Sequence, residues 1–132
     1  MLQPKIESLP LSNINKPRQF RILEEFTFWE YKVPAGFVFN GASVPKAFWG
    51  LVSPTGLLFV PAIIHDYAYQ NGYLLLKDDS KRKIDRALAD KILRNMALEL
   101  HGNSFRGRMR IAIAYYAVRS SGWVVWRNRK EK

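Results

Sequence analysis

Apolar and polar positions alternate in the first third of the chain, which is the two-residue period of β-strands. The segment Phe20–Tyr31 is rich in aromatic residues and shows this alternation. Residues 34–36 (Pro-Ala-Gly) are a turn signal, and Phe37–Phe39 predicts a second short strand. We therefore expect an antiparallel hairpin here, which ends at residues 40–41 (Asn-Gly) because both tolerate positive φ.

The pattern changes to a helical period after residue 60. Pro61 suits the first turn of a helix, which we expect to run to Asn71. Apolar residues spaced three and four apart predict a second helix over Asp85–Leu100, with Asp85 as its N-cap. A third helix is predicted over Ser104–Ser121.

These elements predict an α+β fold, in which a small N-terminal antiparallel β-hairpin or sheet is followed by about three packed helices. The chain has 132 residues, which suits one domain, and we place that domain at residues 19–122. Residues 1–18 contain three prolines and are interpreted as an extended arm. Residues 77–83 are predicted to be a charged connector, and residues 123–132 an aromatic and then basic tail.

Composition narrows the possible chemistry. Apolar residues make up 48% of the chain, too many for a mainly disordered protein. The absence of cysteine excludes disulfides, thiolate catalysis and cysteine-based metal sites. Residues 1–10 lack the apolar core of a signal peptide, and the longest apolar runs have eight residues, whereas a bilayer crossing needs about 20. We therefore expect no signal peptide and no transmembrane segment.

The net charge of +10 is concentrated near the C-terminal end. Residues 101–132 contain eight basic residues and one acidic residue, a net charge of +7. Such a field favours anionic partners, namely nucleic acid, an acidic protein surface or phospholipid headgroups. The alternative interpretation is a solvated helix face and a basic tail. The candidate anion-binding residues are Arg106, Arg108, Arg110, Arg127, Arg129 and Lys130.

One group of ionisable residues lies within the first predicted helix. At helical spacing, His65, Asp66 and Tyr69 project to one side of an otherwise apolar segment. Asp90 lies at the edge of the apolar stripe of the second helix, so antiparallel packing of the two helices would place it opposite His65. A histidine with a carboxylate partner is the minimum for general-base catalysis, because the carboxylate fixes the tautomer and the other nitrogen can activate water.

A cation site is the second chemical possibility. The carboxylate of Asp66 can hold a hard cation such as calcium if a loop supplies backbone carbonyls, and Asn40 and Gly41 are the candidate loop residues. The structural interpretation stays open beside both possibilities. In that case His65 is a buried imidazole that hydrogen-bonds to Asp90, and Tyr69 belongs to the core.

Several short motifs, taken in order, resemble one protein family. They are Val-Pro-Ala-Gly-Phe at residues 33–37, Gly-Ala-Ser-Val-Pro at 41–45, His-Asp-x-x-Tyr at 65–69 and Ala-Asp at 89–90. The series is similar to an uncharacterised domain-of-unknown-function family that tailed phages and prophages commonly encode, and it covers about residues 20–122. The family usually has Asp before Gly-Ala-Ser, where this chain has Asn40.

That resemblance implies an accessory protein of the virion or tail region. Such a protein would dock on other phage structural proteins and would be located in the virion or in the host cytoplasm. The extended arm and the basic tail agree with a docking role.

A more distant likeness concerns only the middle of the chain. The His-Asp-x-x-Tyr motif and the later Asp90 resemble the core of phospholipases A2, particularly the compact viral forms without disulfides. The likeness implies that His65 is the base, Asp90 its orienting partner, Asp66 a calcium ligand and Tyr69 a support for the carboxylates. The Gly-x-Gly calcium loop of those enzymes is missing. The alternative functions are therefore a small hydrolase of a lipid or envelope ester and, more weakly, a nucleic-acid-binding protein with a basic C-terminus.

Overall fold

The computed structural model describes residues 4–9, 19–40, 44–52, 56 and 58–128. Within them, short strands form two antiparallel sheets that pack with α-helices, which confirms the α+β class. The strands are β1 (Ile6–Ser8), β2 (Phe20–Ile22), β3 (Phe26–Phe28), β4 (Tyr31–Val33), β5 (Val38–Phe39), β6 (Tyr73–Leu76) and β7 (Lys81–Lys83). The helices are a 3-10 helix (Lys46–Val52), α1 (Phe59–Asn71), α2 (Arg86–His101), α3 (Phe105–Ser121) and α4 (Trp123–Asn128).

The first sheet has the strand order β1–β2–β5. Phe20 on β2 pairs with Phe39 on β5, and both rings meet Phe59 of α1 edge to face, at centroid distances of 6.2 and 5.8 Å. Edge-to-face contacts are a favoured geometry for aromatic rings. The aromatic richness of this segment is therefore explained by packing of the sheet on the start of α1.

The predicted antiparallel pairing of Phe20–Tyr31 with Phe37–Phe39 is confirmed for β2 and β5, but the predicted hairpin with its turn at residues 34–36 is wrong, because β4, the strand before that turn, pairs with β3 and β6. The chain between them, however, forms a separate hairpin of β3 and β4, whose turn lies at Trp29 and Glu30. Trp29 has a φ of 56°, a conformation that is uncommon outside glycine. Because neither residue is a turn former, the sequence contains no local signal for this turn.

The prediction of a charged connector at residues 77–83 is confirmed for residues 77–80, which form a turn, and is wrong for the last three residues. Lys81–Lys83 form β7, which pairs with β6, and β6 pairs with β4, so the second sheet has the order β3–β4–β6–β7. All three side chains of β7 are exposed. A fully charged edge strand lacks the alternation that identifies strands, and such charges discourage pairing with other chains.

The predicted helix ends are close to those observed. α2 is capped by the side chain of Asp85, which accepts a hydrogen bond from the backbone N–H of Leu88 at 2.7 Å. α3 is capped in the same way by Ser104. α1 begins two residues before Pro61, which therefore lies in its first turn, and it ends at Asn71, where Gly72 is the C-cap with a φ of 78°.

α1 is the centre of the molecule, because every residue from Phe59 to Tyr69 is buried. It packs against α2 and against β4, β5 and β6, and α2 in turn packs against α3. Residues 123–128, predicted as tail, form α4, whose Trp126 ring meets Tyr69 edge to face at 5.2 Å. In the described ranges, no helix combines the length and the apolar character that a bilayer crossing would require.

The end of α1 provides a test of the fold. We expect Gly72→Ala to lower the free energy of unfolding by about 1–2 kcal/mol, because a side chain is strained in the left-handed conformation. Gly50→Ala is the control, since a Cβ at Gly50 would have no atom within 4 Å and the residue has no positive φ. Urea denaturation measures both changes, and equal stabilities of the two variants would contradict the assignment.

Candidate functional site

The structure brings together the three residues predicted as catalytic. His65 Nε2 lies 2.7 Å from Asp90 Oδ1, and the Tyr69 hydroxyl donates to the same oxygen at 2.7 Å. An ionised carboxylate only accepts hydrogen bonds, so the proton in the first contact belongs to His65 Nε2. The rings of His65 and Tyr69 lie 4.3 Å apart on adjacent turns of α1. The antiparallel contact of α1 and α2 therefore creates the predicted histidine–carboxylate pair.

Two arginines that were not predicted for this site complete the surroundings of Asp90. Arg119 of α3 donates from Nη1 to Asp90 Oδ2 at 2.7 Å, and Arg86 Nη1 lies 3.6 Å from the same oxygen. Arg86 also donates to the backbone carbonyls of Val118 and Arg119, at the end of α3. One carboxylate thus connects α1, α2 and α3.

For only one of these arginines does the local sequence indicate a contact with Asp90. Arg86 precedes Asp90 by four residues, which places both on one face of α2. Arg119 is 29 residues away from Asp90 and belongs to another helix. Its pairing depends on how α3 packs, which helical periodicity does not specify.

The electrostatics of the site follow from burial and from these donors. Burial raises the pKa of Asp90, but the hydrogen bonds from His65, Tyr69 and Arg119 outweigh it, so that the pKa lies below its ordinary value. Burial, together with the bond to Asp90, raises the pKa of the Tyr69 hydroxyl. The bond to Asp90 raises the pKa of Arg119. Asp90 is therefore a stable anion, and Tyr69 is a neutral donor.

The site is closed to solvent. His65 is 2% exposed, and Asp90 and Tyr69 are fully buried. Two surface depressions in the described part of the chain lie elsewhere, one beside Glu30 and Arg82 and one between the 3-10 helix and α3. A general base needs contact with a substrate or a water molecule, so the burial of His65, Asp90 and Tyr69 bears directly on the predicted catalytic role.

Asp66 has a structural contact where a cation site was predicted. Its Oδ2 accepts hydrogen bonds from the backbone N–H of Asn40 and from Gln70 Nε2, both at 3.0 Å. Gln70 also donates to the carbonyl of Val38, so this group ties α1 to β5. An N–H group is a donor and does not ligate a cation.

The predicted calcium site therefore stays a prediction. Gly41 lies outside the described residues, and Asn40 is placed beside Asp66 by its backbone N–H. The part of the chain that is described holds no group of three or more His, Cys, Asp or Glu side chains suited to a metal ion.

The predicted anion-binding residues are described only in part. Arg106, Arg108 and Arg110 are exposed on the first turns of α3. Arg108 Nη1 donates to the carbonyl of Gly102 at 2.9 Å, so part of its guanidinium is already engaged. The side chain of Arg127 is not described, and Arg129 and Lys130 lie outside the described residues.

Comparison with protein-family sequences gives one match, which covers residues 16–118. The family is described as a protein of unknown function, DUF1353. Neither the curated proteins nor the solved structures include a match to the chain. The matched range includes α1 and α2 with His65 and Asp90, and it ends one residue before Arg119.

The hydrogen bonds of Asp90 predict that a small substitution at this residue has a large effect on stability. We expect Asp90→Asn to lower the free energy of unfolding by about 3–5 kcal/mol, because Asn loses the charge and directs an NH2 group at donors. Glu24→Gln is the control, since Glu24 forms an exposed ion pair with Lys5 and its loss should cost less than about 1 kcal/mol. Similar losses in the two variants, measured in urea, would show that Asp90 is not the central connection.

The depressed pKa of Asp90 predicts the pH dependence of stability. The ionised carboxylate stabilises the fold above its unfolded pKa of about 3.9, and this stabilisation is lost as the pH falls through the lower folded pKa. We therefore expect the melting temperature to fall below about pH 4 and the fall to be shallower in Asp90→Asn. Glu24→Gln should keep the wild-type slope. An unchanged slope in Asp90→Asn would contradict the role of this carboxylate.

Proposed function

We propose that this chain, which belongs to the DUF1353 family, is a non-catalytic accessory protein of the phage or prophage type that docks on other proteins. The observation that carries the proposal is the closed state of the His65–Asp90 site, where the histidine is 2% exposed and the carboxylate is fully buried. A pair without contact to solvent suits a structural connection between helices better than it suits hydrolysis.

The contacts of Asp90 agree with a structural role. Removal of one partner from a buried ion pair costs far more than loss of an exposed pair, because the remaining charge is left in the interior. Here the hydrogen-bond donors come from α1 and α3, and Arg86 of α2 adds an ion-pair contact at 3.6 Å. Their sum is a network that fixes how three helices pack.

The docking part of the proposal draws on the edge of the first sheet. β1 is an edge strand, since it pairs with β2 and with no other strand in the described ranges. The open edge of a sheet can take up an extended segment of another protein through backbone hydrogen bonds. Under this proposal the partners are other structural proteins of a virion.

A hydrolase is the second candidate. In its favour, the 2.7 Å contact of His65 Nε2 with Asp90 and the Tyr69 hydroxyl on the same oxygen form an oriented base of the kind used in ester hydrolysis. Against it, the trio is buried and Arg119 binds the second carboxylate oxygen. Catalysis would require an opening beside His65.

Vesicles of ester-linked mixed phospholipids, with calcium and then with a chelator, separate the two candidates. We expect no release of fatty acid by the wild type under either condition. His65→Ala should lose about 3 kcal/mol of stability, because Asp90 loses a buried donor. His101→Ala is the control, since His101 is exposed at the end of α2 and should keep the wild-type melting temperature.

Hydrolysis by the wild type would contradict the docking proposal. Calcium-dependent hydrolysis by the wild type, abolished in a folded His65→Ala variant and retained in His101→Ala, would replace the docking proposal with the hydrolase.

A further inference from the structure

α3 is apolar on two opposite sides. One side is buried against the core through Gly107, Ile111, Ala114 and Val118. At about 100° per residue, a second apolar row projects away from that side into solvent. We call this row the α3 stripe; its members are Phe105, Met109, Ile113 and Tyr116, which are 69, 48, 51 and 67% exposed. A contiguous exposed apolar row of this kind marks an interaction site more often than scattered apolar residues do.

The charged residues of α3 itself all have one sign. Arg106 and Arg110 lie along one side of the α3 stripe and Arg108 along the other, at helical spacing. The sequence has no Asp or Glu from residue 102 to residue 128. The surface is therefore apolar in the middle and cationic at both margins.

A shallow depression adjoins the stripe. It lies between the 3-10 helix and α3, has a volume of about 250 Å³, and is lined by Ala47, Phe48, Leu51, Arg110 and Ile113. Its lining is apolar apart from one guanidinium. This combination suits a ligand that carries a hydrocarbon part and an anionic group.

We propose that the α3 stripe and the adjoining depression bind the surface of an anionic phospholipid bilayer. Aromatic and aliphatic side chains would enter the boundary between headgroups and acyl chains, and the flanking arginines would meet the lipid phosphates. This contact goes beyond the proposed function, because it gives the protein a lipid partner in addition to docked proteins.

Charge complementarity favours this occupant over two others. In a symmetric contact that places two copies of α3 side by side in parallel, Arg106, Arg108 and Arg110 of one copy would face those of the other, which is repulsive. Nucleic acid would satisfy the arginines but would leave the apolar row between them without a partner. A bilayer with acidic headgroups satisfies both parts of the surface.

The test measures co-sedimentation with vesicles of ether-linked phosphatidylglycerol and phosphatidylcholine, compared with pure phosphatidylcholine. Ether lipids have no ester to hydrolyse, so the result is independent of whether the proposed function fails. We expect binding to the mixed vesicles only, and an affinity about tenfold lower for Ile113→Gln. Leu23→Gln is the matched control, because Leu23 is an aliphatic residue of similar exposure, 47%, that lies next to β2.

The arginines are tested by the same measurement. We expect Arg106→Gln and Arg110→Gln each to lower the affinity about fivefold at low salt, which corresponds to one cation near an anionic membrane. Lys83→Gln on β7 is the control and should bind like the wild type, because Lys83 is an exposed cation outside α3 and the depression. All these side chains are exposed, so the variants should keep the wild-type melting temperature.

Four results would overturn the proposal. The first is a wild type that does not bind the mixed vesicles, and the second is an equal loss of vesicle affinity in Ile113→Gln and Leu23→Gln. The third is a dimer, detected by light scattering, that Ile113→Gln dissociates. The fourth is binding of duplex DNA that is tighter than vesicle binding and is unchanged by Ile113→Gln. The third would assign the stripe to a second copy of the chain, and the fourth would assign this face to nucleic acid.

Discussion

The carboxylate of Asp90 lies in the interior, where an uncompensated charge would cost several kcal/mol. Hydrogen bonds from His65 and Tyr69 of α1 and from Arg119 of α3 offset this cost, and the positive charge of Arg86 on α2 lies 3.6 Å away. No buried side-chain nitrogen or oxygen in the described residues lacks a hydrogen bond. A rotation or shift of either neighbouring helix would take a donor away from the anion, so this charge selects one packing arrangement among the many that apolar contacts alone would tolerate.

The same contacts affect the chemistry available to His65. In a catalytic histidine–carboxylate pair, the negative charge of the carboxylate stabilises the protonated imidazole. Here Arg119 lies 2.7 Å from the second oxygen of Asp90, and its positive charge weakens the effect of the carboxylate on His65. Asp90 therefore serves several positive and neutral donors at once, which suits a fixed connection. His65 and Asp90 contact each other as the members of a catalytic dyad do, but both side chains are buried like those of core residues.

The fold class and the meeting of His65 with Asp90 could be predicted because both follow from local patterns. The N-caps Asp85 and Ser104 and the apolar periodicity set the register of α2 and α3, and helical spacing places His65 on the face that α2 covers. Features that depend on contacts between residues far apart in the sequence have no such local pattern. The β3–β4 turn, the charged edge strand β7 and the pairing of Arg119 with Asp90 each depend on tertiary packing, which overrides local propensity.

The turn at Trp29 has a consequence for how the second sheet is held against the helices. Its backbone adopts a conformation that tryptophan does not favour, while its indole N–H donates to Glu99 of α2 at 3.0 Å and its ring stacks on Phe28. A turn without local preference depends for its stability on the contacts that it makes with the rest of the molecule. Since β6 pairs with β4, and β7 with β6, the turn at Trp29 connects the whole second sheet to α2.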